Sequence, residues 1–415
     1  MINLKWIVNN REEFAEKTLA RGISITFINE IVEKCDLYLQ DLQYIEKLNA
    51  NQNILINQIT KLKLKNEDAS KLISELNQVK EQIKNINDNK LDLSFLDYVP
   101  NIISANTPIG KDENDNKVIE EFSNLGRGLV NNVLPHYEIG QKLNLIDFHQ
   151  STTLSGSRFW SYINNGAKLL RALISFLLDL HIKNGYIEIN PPLIVKPEVL
   201  YGVGQLPKFK DDVFELTNSK FLIPTAEAPL TTFYQNHIFP NLDKPLCLTA
   251  YTPCFRSEAG SGGKDVRGII RGHQFHKVEL VKVVSKENSQ IEYKKMIDDA
   301  SNILKILEIP FRKLQLCSGD LGFSASETID LEVWLPSEQK YREISSISNC
   351  LDFQSRRAMI RYKKENKIHY AHTMNGSGLA IDRLIAAILE NYQNIDGTIS
   401  IPKVLIPYYG SDIIK

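Results

Sequence analysis

The stretch Pro253–Lys282, PCFRSEAGSGGKDVRGIIRGHQFHKVELVK, decides how this 415-residue chain is read. Its two ends, Cys254-Phe255-Arg256 and Gln274-Phe275-His276-Lys277-Val278-Glu279-Leu280-Val281, are rich in β-favouring residues, and Ala259-Gly260-Ser261-Gly262-Gly263 between them supplies turn chemistry. The pattern predicts strand, long loop and returning strand, hence an antiparallel pair. Arg256, Glu258, Arg267, Arg271, Phe275 and Glu279 would then offer cations, an aromatic plate and carboxylates together. Guanidinium forks suit phosphate oxygens, and an aromatic face suits a purine ring. Taken alone, the same residues also describe a solvated, charge-laced hairpin.

Composition sets wide bounds around this stretch. With 43% hydrophobic and 24% charged residues, the chain is long enough for one sizeable catalytic domain and a smaller one. A net charge of −1 argues against histone-like or tail-driven binding of nucleic acid, so any RNA site must be local. Cys35, Cys247, Cys254, Cys317 and Cys350 form no CxxC pair and have no histidine at ligand spacing, which argues against zinc or a disulfide framework. The opening MINLKWIVNNREEFAEKTLARG lacks a signal-like apolar core, and no later run suggests a membrane span; a reducing cytoplasm is the expected setting.

Two heptad seams precede the hairpin. Ile28, Ile31, Cys35, Tyr38, Leu42 and Ile45 form one, and Ala69, Leu72, Leu76, Val79, Ile83 and Ile86 the other. The polar run Lys61–Asp68 separates them, with Asn66 or Asp68 as candidate caps. The expectation is an antiparallel coiled coil whose helices of roughly 30 residues reach about 45 Å. Periodicity alone equally suits an oligomerisation or spacer device. From Pro100 to Gly126 the chain reads as linker and turn. Gly166–His181 is apolar around most of its circumference and predicts a buried helix; Tyr186–Asn190 predicts a strand stopped by Pro191 and Pro192.

Further on, Gly202–Phe209 has glycines but lacks the order of a phosphate-cradling P-loop. Thr225 and Glu227 would share one side of an extended segment, or cap a helix. Tyr341–Cys350 reads as a strand, where Glu343 can hold a nucleotide or Mg²⁺ and Ser346 can donate to a phosphate. His372–Leu384 carries Gly376 and Gly378, which admit close backbone approach, and leads into an apolar helix with Arg383 at its start.

The run 255–280 resembles motif 2 of the class II aminoacyl-tRNA synthetases, in the form found in the seryl-tRNA synthetase family. Gly166–Pro192 is similar to motif 1, on which dimers of the class are built, and His372–Leu384 resembles motif 3, with Met374 for the usual leucine and Asp382 for the usual glycine. Ile2–Phe14 is similar to the family's opening, and Gly202–Phe209 to its mobile loop. The implied fold is α+β. Residues 101–415 form the antiparallel class II sheet flanked by helices, and residues 1–100 an N-terminal antiparallel coiled-coil arm that grips tRNA, in a homodimer.

The resemblance also implies the chemistry: ATP-dependent activation of L-serine and transfer to the 3′ end of tRNA(Ser), with tRNA(Sec) left open. Arg256 would meet the α-phosphate, Arg383 the γ-phosphate, Phe275 the adenine ring and Glu258 its amino group. Ser257, Arg271, Ile344 and Ser345 complete the ATP set, and Glu343 and Ser346 would hold Mg²⁺. Thr225, Ala226, Glu227, Glu279, Asn375 and Ser377 would surround serine, with Glu279 reading the hydroxyl. In the arm, Lys61, Lys63, Lys65 and Lys71 are the candidate phosphate contacts. Asp382 beside Arg383 is expected either to weaken it or to point into solvent. Two rivals stand beside this reading, a ligase that loads a carrier protein and an inactive RNA-binding paralogue.

Overall fold

A computed structural model of the chain describes residues 1–89, 91–259 and 267–415. The turn expected at 259–263 therefore lies, beyond Ala259, outside the described residues. Two compact units emerge, Ile2–Val99 and, with Met1, Pro100–Lys415.

In the first unit, α1 (Leu4–Asn9) and α2 (Arg11–Leu19) pack on α3 (Ile25–Leu64), and α4 (Ser70–Asp88) returns along it. Ser24 caps α3 by accepting from the Phe27 amide. Asp68 does the capping work for α4 from one residue further out, accepting from both the amide and the hydroxyl of Ser70. The two helices run to 40 and 19 residues, about 60 and 28 Å at 1.5 Å per residue, one longer and one shorter than the roughly 30 residues expected. The partners of the seams also differ from expectation. Leu72, Leu76, Val79, Ile83 and Ile86 pack against Leu48 and Leu55, further along α3 than the seam read from sequence. Ile28, Ile31 and Cys35 are fully buried at the other end of α3, the end where Arg11 of α2 pairs with Asp36 at 2.8 Å. Periodicity marks which face of a helix is covered, and leaves open what covers it.

An eight-stranded sheet organises the second unit. Its strands are β1 (Lys117–Phe122), β2 (Ile187–Glu188), β3 (Leu246–Phe255), β4 (Gln274–Val284), β5 (Phe311–Gln315), β6 (Glu327–Leu335), β7 (Lys340–Leu351) and β8 (His372–Ala380). Their spatial order is β1-β5-β6-β7-β8-β4-β3-β2. Every neighbouring pair is antiparallel except β2–β3 at one edge, which is parallel. Residues 117–122, read as part of a linker, form the opposite edge strand. That strand is almost wholly exposed, so no buried/exposed alternation marks it, and backbone pairing with β5 defines it. The preceding segment is pinned as well: the Asn101 side chain donates to the carbonyls of Ser324 and Cys350 at 2.9 and 2.8 Å.

One sheet face buries Val278, Leu280, Ile329, Leu331, Ile347 and Met374 against three helices, α5 (Asn164–Lys183), α6 (Ser289–Ile306) and α7 (Ile381–Asn391). Amphipathic periodicity builds each of them; α5 alone buries Leu169, Ala172, Leu173, Phe176 and Leu177 on one side. Gly166 is required where α5 begins, since a Cβ there would lie 2.0 Å from the Leu145 carbonyl oxygen. No helix among the described residues is long and apolar enough to cross a membrane.

Candidate active site

The sheet face opposite the helices opens into a cavity of about 660 Å³. Strand alternation builds its floor. On β4, Phe275, Lys277 and Glu279 face the cavity while Val278 and Leu280 face the helical core. Opposite them on β3 stand Cys254, Thr252 and Ala250, in antiparallel register. Lys277 went unremarked in the sequence, although the period of two that selects Phe275 and Glu279 selects it too.

At one end cations predominate. Arg256 stacks its guanidinium 5.1 Å from the centre of the Phe275 ring and donates from Nε to the Pro224 carbonyl at 3.3 Å. Arg271 pairs with Glu258 at 2.8 Å. Arg383, in the first turn of α7, donates to the Glu343 carbonyl at 2.6 Å and to the Ile270 carbonyl at 3.2 Å, and lies 3.4 Å from the Glu343 carboxylate. Against the penalty of enclosure, the Arg383 and Arg256 guanidiniums hold Glu343 below the usual glutamate range. The return of the hairpin is anchored from behind. The Ile269 amide donates to His136 Nε2, and the other ring nitrogen of that buried histidine meets Glu390 at 2.8 Å.

Glu343 and Ser346 are three apart and would face opposite ways on a regular strand. A register shift between β6 and β7 passes over Ile344, and both residues then line the cavity. Directly across from Ser346 is Asp330, one of whose carboxylate oxygens is buried without a hydrogen-bond partner. Burial, and then the neighbouring Glu343, push Asp330 well above the usual aspartate range. This all-oxygen set fits a hard divalent cation such as Mg²⁺. Among the described residues, no group of three or more His, Cys, Asp or Glu side chains is assembled as a metal cage.

The other end is small and polar. The Lys277 ammonium sits 2.5 Å from Glu279 and donates to Thr225 Oγ1 at 2.8 Å. Thr225 in turn accepts from the Glu227 amide at 3.1 Å, one residue ahead of the cap position Ala226; Glu227 opens a helix rather than continuing an extended segment, and both side chains still line the cavity. Glu227 Oε1 accepts from Gln354 at 2.7 Å and Asn375 at 3.0 Å. Burial, aided by Glu279, pushes Glu227 up to about 7. Gln354 is a further site residue the sequence reading omitted; its carbonyl oxygen accepts from Thr373, which orients the amide toward Glu227.

Of the residues named from sequence, Arg256, Glu258, Arg271, Phe275, Glu343, Ile344, Ser346 and Arg383 line the cavity, as do Thr225, Glu227, Glu279, Asn375 and Ser377. Three do not. Ser257 turns its hydroxyl to the Asp211 carbonyl. Ala226 is wholly buried in an apolar cluster with Leu230 and Leu248. Ser345 lies on the strand face turned away from Ser346 and donates to the Ser377 carbonyl at 2.6 Å. Asp382 corrects both expectations held for it. It is buried and accepts from Trp160 Nε1 at 3.1 Å, the Tyr162 hydroxyl at 2.7 Å and the His276 amide at 2.5 Å, so it faces neither Arg383 nor solvent.

Comparison with known proteins agrees with this geometry. A family model described as the tRNA synthetase class II core domain (G, H, P, S and T) matches residues 208–392, and one described as the seryl-tRNA synthetase N-terminal domain matches residues 1–94. A serine–tRNA ligase of Metamycoplasma arthritidis is 52% identical, covering 98% of each chain. One of Methanosarcina barkeri is 44% identical, covering 99% of this chain and 97% of its own. Among solved structures, a seryl-tRNA synthetase from Pyrococcus horikoshii complexed with ATP superposes with a TM-score of 0.91 at 34% identity, covering 100% of this chain and 99% of its own. A cytoplasmic serine–tRNA ligase from Naegleria fowleri in complex with AMP gives 0.87 at 27%, with the same coverage.

The three donors around Asp382 lead to a stability prediction. In Asp382→Asn an amide cannot accept at both ends, so one buried donor is left unmatched, at a cost of about 1–3 kcal/mol. Urea unfolding should show that loss; unchanged stability would mean these hydrogen bonds do not secure the start of α7.

Proposed function

Because the chain belongs to the seryl-tRNA synthetase family, we propose that it joins L-serine to tRNA(Ser) in two steps. ATP and serine form seryl-adenylate and pyrophosphate, and the seryl group then passes to the terminal ribose hydroxyl of the tRNA. The observation that carries this reading is the division of one cavity into an end of cations and an aromatic ring, at Arg256, Phe275 and Arg383, and an end of carboxylates and hydroxyls, at Thr225, Glu227 and Glu279.

Attack of the serine carboxylate on the α-phosphorus needs no protein nucleophile. Catalysis then consists of positioning the two reactants in line and placing cations where charge grows. Arg256, already aligned by Phe275 and the Pro224 carbonyl, takes the α-phosphate. Arg383 takes the γ-phosphate, Phe275 stacks on adenine, and Glu258, steadied by Arg271, accepts from the adenine amino group. Glu343 and Ser346 would hold Mg²⁺, which when bound neutralises phosphate charge. On the other side, Glu227 and Thr225 receive the substrate ammonium and Glu279 the serine hydroxyl, with Asn375 and Ser377 completing the enclosure. A site built around a hydroxyl discriminates strongly against amino acids lacking one, because its buried acceptor is then left unpaired.

We further propose that the arm, with Lys61, Lys63, Lys65 and Lys71 exposed around the turn between α3 and α4, contacts tRNA phosphates. A homodimer built on residues 166–192 and a cytoplasmic setting belong to the same proposal, with tRNA(Sec) as a second substrate to be assayed beside tRNA(Ser).

Pyrophosphate exchange over the twenty amino acids, run beside tRNA charging, tests the proposal: serine-dependent exchange with charging is expected. Exchange without charging would indicate a carrier-loading ligase, and neither would indicate an inactive paralogue. Arg256→Ala should lower exchange by roughly a hundredfold, about 3 kcal/mol of transition-state stabilisation; near-normal exchange removes Arg256 from the mechanism.

A pH dependence follows from Glu227, which burial raises to about 7. Above that pH it is ionised and attracts the substrate ammonium; below it, the neutral carboxyl does so poorly. The KM for serine should therefore rise by up to about tenfold per unit as pH falls below 7. Glu227→Gln should remove that slope, and an unchanged profile in the variant would assign the titration elsewhere. For the arm, changing its four lysines together to Gln should raise the KM for tRNA and flatten its salt dependence while leaving exchange intact. Equal loss in both assays would make the arm a support for the fold.

A further inference from the structure

Lys277 has no part in the scheme above, yet it stands at its centre. It is 7% exposed, lies between Phe275 and Glu279 on the cavity face of β4, and places its ammonium 2.5 Å from Glu279 and 2.8 Å from Thr225 Oγ1. Both acceptors belong to the set assigned to serine. A lysine ammonium and an amino-acid ammonium carry the same charge and the same three donors, so Lys277 sits on acceptors that the substrate must claim. The substrate ammonium assigned to Thr225 and Glu227 would stand beside the Lys277 ammonium, and two like charges that close in a buried site repel strongly. The four-carbon stem of lysine, with its rotatable bonds, allows the head to move while the backbone stays in the sheet. Its charge already reaches across the cavity, favouring the ionised forms of both Glu227 and Glu343, which lie toward opposite ends.

Resting on the adenylate-forming reading, we propose that Lys277 is a second catalytic cation, held in reserve by Glu279 and Thr225 and released by the ammonium of the incoming serine toward the reacting carboxylate and α-phosphate. Two anions must approach each other in this step, and Arg256 supplies one compensating charge. In the reaction a serine carboxylate oxygen forms a bond to the α-phosphorus. The bond to the bridging oxygen breaks, and pyrophosphate leaves with that electron pair. Lys277 transfers no proton; it faces the charge. The arrangement makes full activation conditional on a substrate that carries an ammonium, because without one the lysine stays on Glu279.

The test uses the full chain with Lys277→Met, which keeps the unbranched stem and removes the charge. Serine affinity by calorimetry and serine-dependent pyrophosphate exchange are measured on one preparation. Serine should bind as well as in the unchanged protein or up to about tenfold more tightly, since its internal competitor is gone, while the exchange kcat falls by about 10²–10³-fold. Lys277→Gln, which keeps a donor for Thr225 Oγ1 and so preserves the local fold, should show the same loss of kcat. An exchange kcat within threefold of normal in either variant overturns the proposal. So does serine binding weakened in step with exchange, which would make Lys277 a support for Glu279 only. Exchange by the unchanged protein separates the two levels: with it present, these results bear on Lys277 alone, and without it the adenylate-forming reading fails first.

Discussion

The antiparallel pairing of β3 with β4 is the constraint on which the site depends. Ten consecutive residue pairs, from Leu246 with Val283 to Phe255 with Gln274, keep these strands in one register. In that register the alternation of β4 sends Val278 and Leu280 into the helical core and Phe275, Lys277 and Glu279 into the cavity. A slip of one residue would exchange the two sets, burying a lysine and a glutamate among leucines. The hydrophobic effect therefore positions the charged groups indirectly: the strand cannot satisfy its apolar face without presenting its polar one.

A second constraint is electrostatic. Enclosed charges persist when they are paired, and the cavity pairs its own: buried Lys277 with Glu279, half-buried Arg271 with Glu258, and, nearer solvent, Arg383 with Glu343. Such pairs hold side chains in defined places at modest net gain in stability, and that order is what a reaction driven by positioned charge requires. Where pairing is incomplete, acidity shifts instead. Glu227 and Asp330 are both raised, the first between amide donors and Glu279, the second beside Glu343. Asp382 is raised by burial as well, but against that its donors at Trp160, Tyr162 and His276 favour the carboxylate and tie the start of α7 to β4.

Local sequence determined a good deal. The hairpin strands, the helix over residues 166–181, the strand ahead of Cys350 and the helix opened by Arg383 are each written in periodicity, turn chemistry or an apolar run, and those signals act over a few residues. Because Arg256, Phe275, Glu279, Glu343 and Arg383 stand at legible places on such elements, most of the cavity lining could be named in advance. What only the tertiary structure decided rests on pairings distant in sequence. The register shift that brings Glu343 and Ser346 to one face needs β6 as well as β7, and it also turns Ser345 away. The edge strand 117–122 exists through its hydrogen bonds to β5, and Leu48 and Leu55, beyond the seam read on α3, meet α4. Asp382 found its donors at residues 160, 162 and 276. Periodicity reports that a face is covered, whereas the identity of its cover, and the neighbour of each buried charge, depend on how distant segments pack.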